Sequence, residues 1–186
     1  MRWITREKVK VDRVACPWLI SRFIDNSAQF VFLPADTNWA AITDGVVYDV
    51  PNCELGHHGE DVSFQSILKK YQLEDDPALQ LLGEVVQAAD SNPSEPHPAG
   101  EGLRWIAHSF SALGMTDREI LEREFIVYDA PLCGMQAEGV GSREMNSTMF
   151  SSACATFKSF EHRWSADVSW QERSAAITFS PGLMIL

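Results

Sequence analysis

The chain is poor in positive charge. Its 186 residues carry 15 lysines and arginines against 26 aspartates and glutamates, a formal net charge of −11, and the isoelectric point is about 4.8. Gripping duplex phosphates requires a concentrated basic face, so no direct nucleic-acid binding is expected from this chain. Long apolar runs are also missing. None approaches the roughly 20 residues of a membrane span, and the charged start from Met1 to Lys10 does not resemble a secretory signal. These absences make the cytoplasm the expected compartment. Cysteine is scarce and scattered: Cys16, Cys53, Cys133 and Cys154 form no Cys-x-x-Cys pair, and a reducing compartment opposes disulfides. They read as thiols, most of them inert. No internal repeat is visible.

What is present is apolar residue in the right amount and rhythm. A hydrophobic content of 45% is enough for one domain with a real core. Trp3-Ile4-Thr5, Gln29 to Leu33 and Val46 to Val50 are short β-branched and aromatic stretches, which predict three strands. Between the first two lies "DRVACPWLISRFID", and the tolerance of proline at a first helical position predicts a helix starting at Pro17 with Cys16 as its N-cap.

Beyond residue 60 the period lengthens. Phe64, Ile67, Leu68 and Tyr71 keep helical spacing, and Asp76-Pro77 is a cap and first-turn signature for a helix running to Asp90. Ser91 to Gly102 reads as a loop. Leu103, Ile106, Ala107 and Phe110 mark a third helix of this half, and Thr116 with Glu119 is a capping box for a fourth, which Pro131 is expected to stop. The fold class is therefore α+β: a small N-terminal sheet with one helix, then a predominantly helical half over 1–133. Residues 134–186 show no sustained period and read as a poorly specified tail.

Three places carry chemistry. A cysteine at a helix start would have its thiolate stabilised by orphan N–H groups and the macrodipole, with Arg13 and Arg22 adding to the effect; the alternative is a small buried hydrophobe. In "GHHGEDVSF", two histidines and Glu60 precede a helix, with Gly59 permitting a tight turn. Imidazole and carboxylate suit Zn, Fe or Mn, but the motif supplies too few ligands unless Asp12 or Asp90 converges on it. Otherwise it is a solvated loop. Asp90 ends an apolar helix where the macrodipole disfavours an acid, so either a cation, from a metal or an arginine, compensates it or the end is simply exposed. Asp129 would reach inward only if its helix packs that face down.

Taken together, "WITRE", "DRVACPWLISRFID", "HHGEDVSF", "VVQAAD" and "FIVYDA" resemble the chromate resistance family, specifically its ChrB-type C-terminal domain. The likeness covers roughly residues 2 to 130. The resemblance implies recurring polar residues at Asp12, Cys16, His57, Glu60 and Asp90, with Arg22 in the first helix and His58 at a variable position. It also implies a chromate-responsive role in a domain that in longer members follows a DNA-binding or rhodanese-like segment. After Ala130 the chain departs from that pattern.

Three functional readings follow. In the first, Cys16 at the helix start, with Arg13 and Arg22, forms an electropositive pocket for chromate or a similar oxyanion beside His57, Glu60 and Asp90, with reduction by the thiolate as an added step. In the second, Asp12, His57, Glu60 and Asp90 hold a divalent Fe, Mn or Zn ion, with Cys16 as a neighbour or ligand, and the chain is a metalloenzyme of redox detoxification. In the third, the helical half recruits a regulator or a chromate exporter and the polar residues are structural.

Overall fold

The structure is a computed structural model and describes residues 1–91, 97–137 and 139. Cys154 and most of the expected tail, residues 140–186, lie outside the described residues.

The N-terminal part is a three-stranded parallel sheet in the order β2-β1-β3. β1 (Arg2–Arg6) pairs with β2 (Gln29–Leu33) along its whole length and with β3 (Val46–Val47) at Trp3 and Ile4. Parallel pairing demands a crossover, and the connection between β1 and β2 supplies it as α1 (Val11–Leu19), extended by a π-helical turn over Ile20–Ile24. β3 is shorter than Val46 to Val50; Tyr48 leaves the strand, its N–H still donating to the Ile4 carbonyl, and makes an isolated bridge with Leu55.

The start of α1 corrects the sequence expectation. The helix begins at Val11, its N-cap is Lys10, and Pro17 lies inside it. An interior proline costs about 3 kcal/mol. Against that, Val11, Val14, Ala15 and Trp18 follow helical spacing and are at most 2% exposed, and burying a large apolar side chain contributes roughly 1.5 to 3 kcal/mol. The buried stripe wins, and Cys16 becomes an interior residue of the helix.

The helical half comprises α2 (Ser63–Lys70), α3 (Pro77–Asp90), α4 (Pro98–Ala112) and α5 (Asp117–Ala137). Asp76 caps α3 by accepting from the Ala78 and Leu79 amides at 2.9 and 3.2 Å, with Pro77 in the first turn. Thr116 and Glu119 form the capping box of α5. α4 starts earlier than the loop expectation allowed, with His97 as its cap. Gly100 is what lets it approach α3, because a Cβ there would stand 2.7 Å from the Ala88 Cβ. Pro131 does not stop α5. Tyr128, Leu132 and Cys133 are buried on either side of it, and their packing carries the helix past the missing hydrogen bond.

The core gathers on α1. The Trp18 ring stacks on Phe64 of α2 at 6.4 Å and lies 5.8 Å from Tyr128 of α5. Its indole N–H donates to Asp129 at 2.6 Å, and Arg22 grips the same carboxylate through Nε and Nη2 at 3.0 and 2.9 Å. The α5 face carrying Asp129 thus packs inward. No helix among the described residues is long and apolar enough to cross a membrane.

Candidate metal centre

The starts of α1 and α2 face carboxylates brought from elsewhere in the chain. Asp90, at the last position of α3, accepts the Asp12 amide N–H in the first turn of α1 at 3.4 Å. Asp12 itself spans the start of α2, its two oxygens accepting the Ser63 and Phe64 amides at 2.7 and 3.2 Å. Both carboxylates lie where orphan N–H groups and the positive end of a helix dipole favour negative charge. The misplaced acid of α3 is therefore compensated by the amino end of α1. Arg104 meanwhile satisfies the end of α3, donating to the Ala88, Ala89 and Ser91 carbonyls.

A third carboxylate comes from just beyond β3. Asp49 is 4% exposed, accepts the Ser63 hydroxyl at 2.8 Å, and has φ +48°. That left-handed conformation costs a non-glycine residue free energy and persists only where its surroundings over-determine it. The loop that follows carries His57 back across the group. Its Nε2 stands 3.4 Å from Asp12, 3.4 Å from Asp49 and 3.5 Å from Asp90. Gly59, with φ +65°, makes the turn expected after the histidines, and His58 and Asp61 bridge across it.

These separations are long for charge-assisted hydrogen bonds, which close to about 2.7 to 2.9 Å. Two ligands each about 2.1 Å from one ion at a tetrahedral angle stand about 3.4 Å apart. One donor atom each from Asp12, Asp49 and His57 lies within 4.8 Å of the others, and Asp90 adjoins them through His57. The contacts with Asp12 and Asp49 favour the charged imidazole and push His57 up to about 10. Burial raises Asp12 to about 6, with the Asp49 and Asp90 charges adding to the rise against the pull of His57. Burial and the Asp49 charge raise Asp90 as well.

Of the residues singled out by sequence, Asp12, His57 and Asp90 converge here, with Arg13 beside them, 3.5 Å from Asp49. Glu60 does not: its side chain is exposed and its backbone carbonyl accepts from Gln87. Arg22 is engaged at Asp129. Cys16 touches the cluster only as a thiol donating to Asp12 at 3.5 Å. Burial, and then the Asp12 charge, hold its pKa well above the ordinary thiol value, the opposite of what a helix-start cysteine would show. Asp49, Ser63 and Arg6 went unnoticed in the sequence. The one signal for Asp49 was its place after an apolar strand, where a parallel sheet presents its ligand-binding edge.

The family model of the ChrB C-terminal domain matches residues 3–133. Protein ChrB of Cupriavidus metallidurans is 38% identical over 89 residues, which cover 48% of this chain and 27% of that protein. The match thus spans about a quarter of that relative's length. No solved structure matches.

Proposed function

The chain belongs to the ChrB C-terminal domain family, a family of chromate resistance, and from that membership we propose that it acts in chromate resistance through a divalent-metal centre made by Asp12, Asp49, His57 and Asp90. The observation that carries this reading is the position of His57, within 3.5 Å of three carboxylates. The donors are one imidazole and hard oxygens with no thiolate, a set that suits Mn²⁺ or Fe²⁺ ahead of Zn²⁺. Ser63 and the start of α2 orient the carboxylates from behind, the role that outer hydrogen bonds play around metal ligands. The Cys16 thiol, buried and held protonated, supplies neither a ligand nor a reductant in this reading.

Metal titration of protein freed of metal by chelation tests the reading. The wild type takes up one Mn²⁺ or Fe²⁺ per chain. Asp49→Asn and His57→Gln weaken uptake by tenfold or more, in the range that loss of a ligand or its support produces, whereas Glu60→Gln binds as the wild type does. Equal binding by all four proteins, or stoichiometric binding by none, rules the centre out.

A further inference from the structure

We infer that the outer edge of β2 is where two copies of this chain meet, as an antiparallel β2–β2 pair across a two-fold axis at Val31. The inference stands apart from the metal centre, to which β2 contributes no residue.

The backbone provides the opening. Among the described residues β2 is paired on one side only, with β1. The Gln29 amide donates to the Met1 carbonyl, and the Leu33 carbonyl accepts from the Glu7 amide, so residues 29, 31 and 33 turn their peptide groups toward β1. Successive residues of a strand alternate, which leaves the N–H and C=O groups of Phe30 and Phe32 directed away from the sheet. The open stretch is closed off at both ends. The Ala28 amide donates to the Asp25 carbonyl, while Pro34 has no N–H and its carbonyl accepts the Thr37 amide and hydroxyl.

An edge of this kind is a template for another strand, and a two-fold axis pairs a strand with its own copy antiparallel. The stretch Phe30-Val31-Phe32 reads the same in both directions. An axis at Val31 therefore sets Phe30 opposite the partner's Phe32, and Phe32 opposite the partner's Phe30. Each of these pairs exchanges both of its N–H and C=O groups, so the seam closes about four hydrogen bonds. Moving the axis to Phe30 or to Phe32 leaves a single bonded pair. Phe30 and Phe32 share the face of Trp3 and pack against the core, so the facing side chains are aromatic on aromatic, a favourable cross-strand combination.

Charge and exposure agree. A net charge of −11 opposes self-association over most of the surface, but residues 26–35 carry no charged side chain, so two copies can meet there without repulsion. Phe30, Val31, Phe32 and Leu33 are all only half-buried, on both faces of the strand. β2 also has none of the devices that block edge pairing: its register is unbroken by a bulge and it holds neither a charge nor an interior proline. The opposite edge differs. β3 is two residues long, Asp44 and Asp49 flank it, and the Asp49 amide already donates to the Leu55 carbonyl. A seam as short as β2 belongs to the small class of interface, so the dimer is weak.

The test is sedimentation velocity on the full chain from about 1 µM to about 1 mM, the span of weak dissociation constants. The wild type passes from monomer to dimer as concentration rises. Val31 is half-exposed and lies on the face away from Trp3, so it can be changed without entering the core. Val31→Lys and Val31→Glu each set like charges face to face at the axis and raise the dissociation constant tenfold or more. An equimolar mixture of the two recovers the dimer, because the facing charges are then opposite. Val31→Cys adds a reading that needs no charge in the strand: residues at the axis form a non-hydrogen-bonded pair with Cα atoms about 4.5 Å apart, within disulfide reach, and mild oxidation links position 31 to its copy, as peptide mapping shows. A wild type that stays monomeric throughout overturns the inference and leaves the edge to a strand of another protein. A dimer that Val31→Lys leaves unchanged, or oxidation of Val31→Cys without a link between the two positions 31, overturns it as well.

Discussion

At the scale of single residues, the centre is governed by which groups hold protons. His57 keeps its proton up to about pH 10 in the metal-free protein, and a metal ion must displace that proton to bind. Mn²⁺ affinity is therefore expected to rise about tenfold per pH unit from neutrality toward that value, and more steeply below about pH 6, where Asp12 also takes up a proton. Calorimetry at pH 7 in buffers of different ionisation heat should show one proton released per ion; release of none would mean that His57 is not displaced. Cys16 follows the same logic in the other direction. Its thiol is buried and its ionisation opposed by burial and by Asp12, whereas Cys53 is only half-buried. Under native conditions, labelling followed by peptide mapping is expected to modify Cys53 before Cys16, and Cys16 only on unfolding. Rapid alkylation of Cys16 in the folded chain would restore the thiolate reading that its position inside α1 argues against.

At the scale of elements, the helices are fixed to one another by a few polar contacts set into apolar packing. Asp129 joins α5 to α1, accepting from Trp18 and from both nitrogens of an Arg22 fork, while the Arg22 guanidinium lies 5.5 Å over the Phe125 ring. Removing one side of a largely buried pair leaves the other uncompensated, so Asp129→Ala should cost about 3 to 5 kcal/mol, read as a fall in the urea midpoint. A loss below about 1 kcal/mol would show that Arg22 finds water or another acceptor. Asp76 acts more locally: its two bonds cap α3, and Asp76→Ala is expected to cost about 1 kcal/mol in the same assay. Such caps were readable in advance because Asp76-Pro77 and Thr116 with Glu119 act within one turn of chain. Pro17 and Pro131 misled for a related reason. Proline reports a local cost, but Trp18, Leu132 and their neighbours are buried against distant helices, and that packing outweighs it.

At the scale of the whole molecule, one buried acid ties global stability to pH. Glu124 of α5 is fully buried and neither of its oxygens has a hydrogen-bond partner; burial raises it from 4.5 to about 7. The folded state then binds a proton that the unfolded state has lost, so stability declines as pH rises from about 4.5 and the loss is complete above about 7. Denaturation midpoints across this window should fall for the wild type and stay flatter for Glu124→Gln, which keeps the neutral form at every pH. Parallel profiles would mean that Glu124 is solvated or paired.

The sequence by itself determined the class of fold, the helices of the second half, the acidic net charge, and three of the four proposed ligands. Those features rest on composition, on periodicity and on motifs such as His57 before Gly59, all of which are local. Only the tertiary structure decided that Asp49 joins the centre while Glu60 stays in solvent, that Arg22 serves α5, and that Cys16 is an interior thiol. Asp49 reaches His57 because β3 pairs in parallel with β1 and sets its end beside the start of α1. Glu60 sits three residues from His57 in the chain, but its side chain lies in solvent beyond the turn at Gly59. Convergence in space depends on strand order and helix docking, and no window of sequence contains either.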